Sequence, residues 1–330
     1  MLMLYNADID IAPILSRKVA IIGYGSQGRA QALNLRDSGV GVTVALRADS
    51  RGRERAAADG VAVADMAKAA AGAEVVAMLV PDEAQPAVYS EIEPAMRHGA
   101  ALIFAHGFNI HYGRIKPRAD LDVLMAAPFG IGEKLRSLFV AGKGTAGMAA
   151  VHRDATGDGR AIALAYAGAL GLGYGGVIET SFAEETETDL FAEQAVLCGG
   201  LTHLIDAAYE TLTAAGYAPE IAYFSCLHEV KLMADVIHEH GIAAMRKSIS
   251  STAAFGDATR GARVINDESR REMAAMLAEI RDGRFAAELA EEMDAGAPTL
   301  AVYRRDSGAH SIEKVGARLR AAMGASPNEG

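Results

Sequence analysis

A glycine-rich hexapeptide between an apolar strand and a helix constrains the fold of this chain more than any other feature. The apolar run Lys18–Ile22 predicts a buried strand. The motif Gly-Tyr-Gly-Ser-Gln-Gly follows at residues 23–28, and residues 29–36 have a helical pattern. Glycines there permit a tight turn, and the helix N-terminus is able to hold a pyrophosphate. The hexapeptide therefore predicts a dinucleotide-binding Rossmann unit rather than a plain structural turn.

The loop after the second predicted strand leaves the choice of dinucleotide open. Residues 40–46 read as that strand, and in this fold the following loop faces the adenosine ribose. The loop contains Arg47, Asp49, Arg51 and Arg53. Arginines favour the 2′-phosphate of NADP, whereas an acidic residue favours the free ribose hydroxyl of NAD. Both NAD and NADP therefore remain candidate cofactors, and any one of these arginines also suits an ordinary charged surface loop.

Apolar runs continue to alternate with helical patterns as far as about residue 180. The further strands that we predict lie at residues 74–80, 100–105 and 123–126, with 137–144 and 173–178 completing the sheet. Asp82, His106 and the loop at 128–133 follow the first three of these strands. Ligands bind beyond the carboxyl ends of the strands in an open α/β sheet, so these residues are placed to reach cofactor and substrate.

Beyond about residue 180 the chain has helical periodicity and no convincing strand. The predicted helices cover residues 184–215, 219–240, 268–280, 284–295 and 310–323, with a frayed end at 324–330. The sequence thus predicts an α/β fold class, with a doubly wound Rossmann domain over residues 1–180. An all-α domain over residues 181–330 follows it.

An acidic stretch at residues 184–194 opens the helical part. Its five carboxylates usually indicate a solvated helix face. Thr186 or Thr188, however, is able to cap a helix, which would put the carboxylates in its first turns. Asp189 and Glu193 are then one turn apart on one face, where a bare pair of like charges repels. A hard dication such as Mg²⁺ would remove this repulsion, so the stretch indicates a candidate metal site.

Composition argues against several kinds of partner. A formal net charge of −10 disfavours nucleic acid and anionic membranes. The N-terminal residues lack the pattern of a secretory signal or transit peptide, and Cys198 and Cys226 suit a reducing cytoplasm. Residues 161–178 are uncharged, but they read as a helix, a glycine break and a strand rather than a membrane span. We expect a cytoplasmic protein that acts on a small molecule.

The motifs together resemble the ketol-acid reductoisomerase family in its short, class I form. The resemblance runs over residues 19–323 and includes the glycine hexapeptide and the far more specific acidic stretch through Cys198-Gly199-Gly200. The other matching motifs are Pro81-Asp82-Glu83, Ala105-His106-Gly107-Phe108-Asn109-Ile110, Pro219-Glu220-Ile221-Ala222-Tyr223-Phe224 and Ser248-Ile249-Ser250. The resemblance implies that the helical domain is knotted and interlocks with a second copy in a homodimer or higher homo-oligomer.

The resemblance also implies an activity and a set of site residues. The family binds NAD(P)H and two Mg²⁺, moves an alkyl group in a 2-hydroxy-2-acetyl acid and reduces the resulting ketone, in valine, leucine and isoleucine synthesis. By motif, Asp189 would bridge both ions, Glu193 would bind the first and Glu229 the second. His106 would stand beside the reacting centre, and Ser250 would contact the substrate carboxylate. The residues implied to line the cofactor are Gly23, Tyr24, Gly25, Ser26, Gln27, Gly28, Arg47, Ser50, Asp82, Gln85 and Gly132.

Several residues of the implied active site depart from the family pattern. The family has Pro-Lys-Gly-Pro-Gly-His where this chain has residues 128–133, so Phe129 replaces a lysine and Glu133 replaces a histidine. Ser225 replaces a glutamate that binds the second Mg²⁺. These changes predict one firmly bound ion and a weakened second site. Together with Ser250, the three altered residues are the candidate substrate contacts.

These departures suggest an enzyme remodelled for specialised metabolism, acting on a different hydroxy or dihydroxy acid. An aromatic face beside anions suits a substrate with an onium group. Such a group is also a leaving group, so carbon–carbon ring closure to a cyclopropanol is one hypothesis. Two alternatives stay open. One is an authentic acetohydroxy-acid isomeroreductase, and the other is a non-catalytic homologue that binds dinucleotide. Retention of Asp189, Glu193, Glu229 and His106 argues against the second.

Overall fold

The computed structural model describes residues 3–324, which form two units. The first unit extends to Thr188 and the second begins at Asp189. A helix over Phe182–Ala192 runs across this division, so the boundary predicted from the sequence lies just before the helix begins. The frayed terminus predicted at residues 324–330 lies, from residue 325 on, outside the described residues.

A nine-stranded sheet forms the centre of the first unit within residues 3–324. The strands are β1 (Met3–Leu4), β2 (Lys18–Ile22), β3 (Gly41–Ala45), β4 (Ala62–Ala64), β5 (Val75–Met78), β6 (Ala101–Phe104), β7 (Asp122–Pro128), β8 (Gly147–Arg153) and β9 (Val177–Thr180). They lie in the order β1-β9-β8-β7-β6-β5-β2-β3-β4. Strands β2 to β7 are parallel, whereas β8 runs antiparallel to β7 and β1 antiparallel to β9. The chain order reverses between β2 and β5, which is the switch point of a Rossmann sheet.

Helices cover both faces of this sheet. They are α1 (Ala12–Leu15), α2 (Ser26–Asp37), α3 (Gly52–Ala58), α4 (Met66–Gly72), α5 (Gln85–Ile92), α6 (Phe108–His111), α7 (Gly132–Val140) and α8 (Gly159–Ala169). Successive residues of β2 contribute to different cores, Ile21 on one face and Ile22 on the other. Both faces are therefore buried, which explains why the parallel strands read as continuous apolar runs. The predicted α/β class is confirmed.

One predicted strand is wrong. Residues 137–144 do not pair in the sheet, because α7 occupies Gly132–Val140, and the chain reaches the sheet only at β8. The run Leu138-Phe139-Val140 suggested a strand, but it belongs to a helix whose buried residue is Leu135, one turn earlier. Such short apolar runs do not separate strand from helix by themselves.

The predicted helix caps in the acidic stretch are also wrong. The helix begins at Phe182, and the Ser181 hydroxyl accepts the N–H of Glu184 at 3.1 Å. Thr186 is buried inside the helix, and the Thr188 hydroxyl donates to the Glu184 carbonyl at 2.7 Å. Ser181 therefore accepts a backbone N–H of the first turn. The helix begins earlier in the chain than a cap at Thr186 or Thr188 would place it.

The second unit is helical throughout its described residues, which confirms the all-α prediction. After α9 (Phe182–Ala192) come α10 (Gly199–Ala214), α11 (Pro219–Tyr223), α12 (Glu229–His240), α13 (Ile242–Ser248), α14 (Ser251–Val264), α15 (Asp267–Arg281), α16 (Arg284–Asp294), α17 (Pro298–Ala309) and α18 (Ser311–Ala322). Short π-helical segments over Glu193–Leu197 and Phe224–His228 interrupt two of the helical runs. Within residues 3–324, no helix is both long enough and apolar enough to cross a bilayer.

Candidate dinucleotide and metal sites

The glycine loop borders a cavity of about 520 Å³ at the switch point of the sheet. Gly23 has a φ of 102°, and a Cβ there would lie 2.8 Å from the Leu79 carbonyl oxygen. At Gly28 a Cβ would lie 2.4 Å from the Gly23 carbonyl oxygen. Gly25 differs, because a Cβ on it would meet nothing within 4 Å. Its backbone is thus open to the cavity at the N-terminus of α2, which is where a dinucleotide phosphate fits.

The structure gathers the predicted cofactor residues along this one edge of the sheet. Those that line the cavity are Gly23, Tyr24, Gly25, Ser26, Gln27, Ser50, Asp82 and Gln85, whereas Gly28 is not part of its lining. The predicted catalytic residue His106 also lines the cavity. Arg47 lines an adjoining cavity of about 340 Å³ together with Ser50. Gly132 approaches from α7, where its N–H donates to the Ser26 hydroxyl at 3.2 Å and a Cβ would lie 2.2 Å from the Ser26 carbonyl oxygen. The arrangement fits a dinucleotide, while the binding role of each residue stays a prediction.

The arginines of the ribose loop differ in their contacts. Arg53 donates to the Leu46 carbonyl at 2.8 Å and to Asp65 at 3.0 Å. Arg47 and Asp49 are exposed and line the smaller cavity together. Arg53 is therefore held by the protein, while Arg47, Asp49 and Arg51 remain the exposed charged residues of the loop, so the choice between NAD and NADP stays open.

A chain of amides orients Asp82 at the end of β5. The Gln85 side chain donates to the Asp82 carboxylate at 2.9 Å and to the Val80 carbonyl at 3.1 Å. Asn109 is fully buried, and its side chain donates to the Gln85 side-chain oxygen and to the Asp82 carbonyl, both at 2.9 Å. Burial raises the pKa of the Asp82 carboxyl, an effect that nearby His106 opposes. The carboxyl is thus held in one orientation by partners that are themselves fixed.

Glu185 is a site residue that the sequence reading missed. Its carboxylate lies 2.9 Å from His106 Nδ1 and accepts the Gly107 N–H at 2.8 Å. A Cβ at residue 107 would lie 2.4 Å from the Thr186 hydroxyl, so Gly107 allows α9 to approach the His106 loop this closely. An ionised Glu185 selects the imidazole tautomer with the proton on Nδ1. His106 Nε2 then carries the lone pair that a general base requires.

The spacing of the acidic stretch contains the signal that would have found Glu185. Asp189 and Glu193 were recognised as a pair four residues apart, and Glu185 lies four residues before Asp189. Because the helix begins at Phe182, the three carboxylates occupy successive turns. The candidate caps at Thr186 and Thr188 drew attention to the carboxylates that follow them, Asp189 and Glu193, and away from Glu185, which precedes both.

The loop at residues 128–133 is anchored to the glycine loop by its backbone. The Gln27 side chain donates to the Gly130 carbonyl at 3.0 Å, and the Thr145 hydroxyl donates to the Phe129 carbonyl at 2.6 Å. With the backbone fixed, the Phe129 side chain remains 46% exposed, and Glu133 is exposed at the start of α7. An aromatic ring and a carboxylate are therefore presented next to the dinucleotide loop.

The predicted magnesium ligands of the second unit lie at the π-helical segments. Asp189 is half-buried, and Glu193 is the first residue of the first segment. Ser225 lies inside the second segment, and Glu229 directly follows it. Single π turns occur often at functional sites. Carboxylate oxygens are the donors that Mg²⁺ prefers, so Asp189, Glu193 and Glu229 are suitable in chemical type and the Ser225 hydroxyl would be a weaker donor, while the role of each as a ligand stays a prediction.

Ser250 occupies a helix N-terminus. Its hydroxyl accepts the Ala253 N–H at 3.2 Å and caps α14. The following backbone N–H groups at a helix start favour anions. This placement is compatible with the predicted contact to a substrate carboxylate, and that role stays a prediction.

Comparisons with known proteins decide the family. The model of the acetohydroxy acid isomeroreductase NADPH-binding domain matches residues 13–176. The model of the ketol-acid reductoisomerase C-terminal domain matches residues 182–325. The solved structure of an NADH-preferring ketol-acid reductoisomerase from an uncultured archean is 40% identical, with a TM-score of 0.94 over 97% of this chain and 98% of that one. This chain belongs to the ketol-acid reductoisomerase family.

More distant structures share only the fold with this reductoisomerase. A semialdehyde dehydrogenase NAD-binding protein from Cupriavidus necator has 16% identity and a TM-score of 0.63, covering 81% of this chain and 99% of its own. A pyrroline-5-carboxylate reductase from Coxiella burnetii has 16% identity and a TM-score of 0.57, with coverages of 81% and 98%. The family matches support an NAD(P)-dependent oxidoreductase and isomerase of the kind that acts in branched-chain amino-acid synthesis.

Proposed function

We propose that this reductoisomerase uses Mg²⁺ and a nicotinamide dinucleotide on a hydroxy or dihydroxy acid other than acetolactate. The observation that carries the proposal is the exposed Phe129 ring on a backbone anchored to the glycine loop. Family members have a lysine at that place by motif, so the anionic oxygens of an acetohydroxy acid would lose a cation. Ser225 would likewise weaken the binding of an acetohydroxy acid through the metal, because a neutral hydroxyl binds Mg²⁺ less firmly than a carboxylate does.

The reaction type follows from groups that this chain keeps. A bound dinucleotide would supply or accept hydride, and the carboxylates of Asp189, Glu193 and Glu229 would hold Mg²⁺, which would supply Lewis acidity towards a substrate oxygen. His106, held by Glu185 at 2.9 Å, moves the proton that accompanies the change at that oxygen. The two free thiols suit the reducing cytoplasm, where we place the enzyme.

The direct test is turnover of acetolactate with Mg²⁺ and either NADPH or NADH. We expect little or no dihydroxy acid, whereas a panel of other hydroxy and dihydroxy acids should include one that changes the dinucleotide absorbance or gives a new product by mass spectrometry. Efficient conversion of acetolactate would refute the proposal and leave an ordinary isomeroreductase of branched-chain synthesis. The same assay compares the two dinucleotides, whose choice we assign to Arg47 and Asp49.

A double substitution tests whether the residues at positions 129 and 225 account for the altered substrate. Phe129→Lys with Ser225→Glu restores the family residues and should create or raise acetolactate turnover, by about 10-fold or more since each single charge contact is worth up to a few kcal/mol. The matched control is Ile131→Lys with Ser225→Glu, because Ile131 is an exposed apolar residue of the same loop. Equal gains in both variants would show that a lysine at position 129 is not required for the gain, which would then come from Ser225→Glu or from added charge in the loop.

A narrower proposal concerns a substrate that carries an onium group. The Phe129 ring and the Glu133 carboxylate suit such a cation. Ring closure would be redox-neutral: a hydride leaves and returns to the same carbon, a neighbouring carbon loses a proton, and its new carbon–carbon bond replaces the bond to the leaving group. The product would be a cyclopropanol and a neutral sulfide or amine. Mass spectrometry of reactions with sulfonium-bearing dihydroxy acids tests this, and recovery of the intact substrate would exclude it for those compounds.

A further inference from the structure

Asp59 joins three elements at the edge of the dinucleotide cavity. It directly follows α3, and its carboxylate accepts the Tyr24 hydroxyl at 2.9 Å. The same carboxylate accepts Arg29 of α2 in a bidentate pair, at 2.6 Å to Nε and 2.8 Å to Nη2. Its backbone carbonyl accepts Arg36, which lies two turns further along α2. The glycine loop, the phosphate-facing helix and the end of α3 are therefore tied to one residue.

Tyr24 connects this network to the cavity, because it belongs to both. It lines the cavity of about 520 Å³, yet only 6% of the residue is exposed. A Cβ placed on Gly52 would lie 3.4 Å from the Tyr24 Cβ, so the tyrosine packs beneath the first residue of α3. That helix follows the ribose loop. The Tyr24 ring therefore sets the spacing between the glycine loop and the adenosine side of the cavity.

The charges of the network persist over the working pH range of a protein. Hydrogen bonding from Arg29 lowers the pKa of the Asp59 carboxyl to about 2. Burial, together with the acceptor Asp59, raises the pKa of Tyr24 to about 12. Between these limits the carboxylate stays ionised and the phenol stays protonated, so the donor–acceptor pattern does not change. Arg29 is likewise held by Asp59 and is not available as a free cation for the phosphates.

We propose that Asp59 is a positioning residue for the adenosine half of the dinucleotide, acting through Tyr24 and Arg29. Without the Asp59 carboxylate, the nearly buried Tyr24 hydroxyl has no acceptor. An unsatisfied buried donor raises the free energy of the folded state. The ring then leaves its place under Gly52, and the open backbone at Gly25 loses the support of its neighbour. The inference rests on dinucleotide binding by this chain, which the wild-type titration measures in the same experiment.

The experiment titrates full-length wild type and Asp59→Asn with NADH, NADPH, ADP-ribose and reduced nicotinamide mononucleotide, by fluorescence and calorimetry. We expect Asp59→Asn to raise the Kd for both dinucleotides and for ADP-ribose by about 10-fold, since several hydrogen bonds to a charged group are lost. The Kd for the mononucleotide should stay within about 2-fold of wild type, because the mononucleotide lacks the adenosine half that Asp59 is proposed to position. A merely structural defect would not separate the two halves of the cofactor.

The control is Asp120→Asn. Asp120 forms an equivalent bidentate pair with Arg118, at 2.8 Å for both bonds, and the two aspartate side chains are equally exposed, 17% against 18%. The described contacts of Asp120, with His98, Gly99 and Arg118, include no residue that lines the cavity, whereas Asp59 contacts Tyr24, so Asp120→Asn should bind ADP-ribose like wild type. Tyr24→Phe keeps the ring and the Asp59–Arg29 pair, and should weaken ADP-ribose by about 3-fold through one lost hydrogen bond.

The outcomes distinguish failure of the inference from failure of the proposed cofactor. A wild type that binds neither dinucleotide removes the premise. A wild type that binds, with Asp59→Asn folded and an unchanged Kd for ADP-ribose, overturns the inference, as does an equal loss in Asp120→Asn. If Asp59→Asn does not fold, Tyr24→Phe decides, and an ADP-ribose Kd equal to that of wild type overturns the inference.

Discussion

At the scale of single residues, the carboxyl of Asp82 links stability to cofactor binding. Its largely buried position raises its pKa above the ordinary value, with His106 acting in the opposite direction. At a pH below the unfolded-state pKa the group is protonated in both states, and burial costs little. As the pH rises through the raised folded-state pKa, the native state must hold an ionised carboxylate that water would stabilise better. The folded state therefore loses stability as the pH rises across this window.

Asp82→Asn should consequently stabilise the free protein at pH 8 and weaken its dinucleotide binding. We expect a gain of about 1 kcal/mol, typical of removing strain at a functional site, or about 2–4 °C in Tm. The gain should vanish as the pH falls below the ordinary pKa of an aspartate. Thermal unfolding from pH 3 to pH 8 measures the difference. Glu83→Gln, at an exposed neighbour, should show the same trend more weakly, because the Glu83 charge raises the pKa of Asp82 less than burial does. A gain independent of pH would contradict the electrostatic cause.

Residue-level reading of the sequence finds candidate residues that local spacing marks and misses those that only a long-range contact marks. The glycine loop and His106 were found because each directly follows an apolar strand. Glu185 was missed because it precedes the candidate caps Thr186 and Thr188, whereas Asp189 and Glu193 follow them. Asp59 could not have been found in this way. It meets Tyr24 and Arg29 across at least thirty residues of chain, and nothing in its own surroundings marks it.

At the scale of elements, the π-helical segment Glu193–Leu197 positions a predicted metal ligand. Gly199 and Gly200 follow the segment, and each lies close to one of its carbonyl oxygens. A Cβ on Gly199 would lie 2.1 Å from the Gln194 carbonyl oxygen, and one on Gly200 would lie 2.1 Å from that of Ala195. These contacts are shorter than any side chain tolerates, so the turn and the glycines depend on each other. The sequence showed the glycines but not the π turn, which has no periodicity signal of its own.

Gly199→Ala should therefore weaken Mg²⁺ binding by displacing Glu193. We expect a loss of about 10- to 100-fold in metal affinity, as for other changes that misplace a ligand. The overpacking cost to stability should be about 1–3 kcal/mol. Calorimetry with Mg²⁺ or Mn²⁺ measures the affinity, while NADH fluorescence checks that the first unit still binds its cofactor.

Gly308→Ala provides the comparison for this glycine. Gly308 lies in α17, where an added Cβ meets nothing within 4 Å, so alanine should leave metal affinity unchanged and favour the helix slightly. Equal metal binding by wild type and Gly199→Ala would show that the π turn does not set the position of Glu193.

The prediction of secondary-structure elements was weakest where apolar residues do not recur at helical spacing. Helix α14 begins Ser251-Thr252-Ala253 and contains two glycines, so small and polar residues conceal it, and α17 was missed for similar reasons. The false strand at 137–144 arose in the opposite way, from three consecutive apolar residues of α7. In both cases the spacing of apolar residues, on which the prediction rested, does not follow the element that forms.

At the scale of the whole molecule, the two units differ in how well they bury their apolar residues. The first has extensive cores on both faces of its sheet. Among the described residues of the second, one small cluster is buried, formed by Tyr209, Ala222, Tyr223, Ile312 and Val315. Large apolar side chains nevertheless remain exposed along its helices, including Leu197, Leu204, Leu232, Phe255, Val302 and Tyr303. Exposed apolar surface of this extent indicates a binding partner.

We propose that a second copy of the chain covers this surface, as the family resemblance implied. A groove of about 850 Å³ in the second unit is lined by Val302 and Tyr303 of α17 and by Leu227. An obligate homodimer interface is apolar and large, and matches such a surface better than a transient partner does. Light scattering should give at least twice the 34.5 kDa of one chain, even at low concentration.

Val302→Glu should shift this assembly towards monomer and lower its Tm, because a carboxylate buried without a partner costs several kcal/mol. Val140→Glu is the matched control, since Val140 is an equally apolar and more exposed residue of the first unit, at 67% against 49%. That variant should keep the wild-type mass. A wild type that is monomeric at micromolar concentration would refute the dimer. A dimer insensitive to Val302→Glu would place the interface on other helices of the second unit.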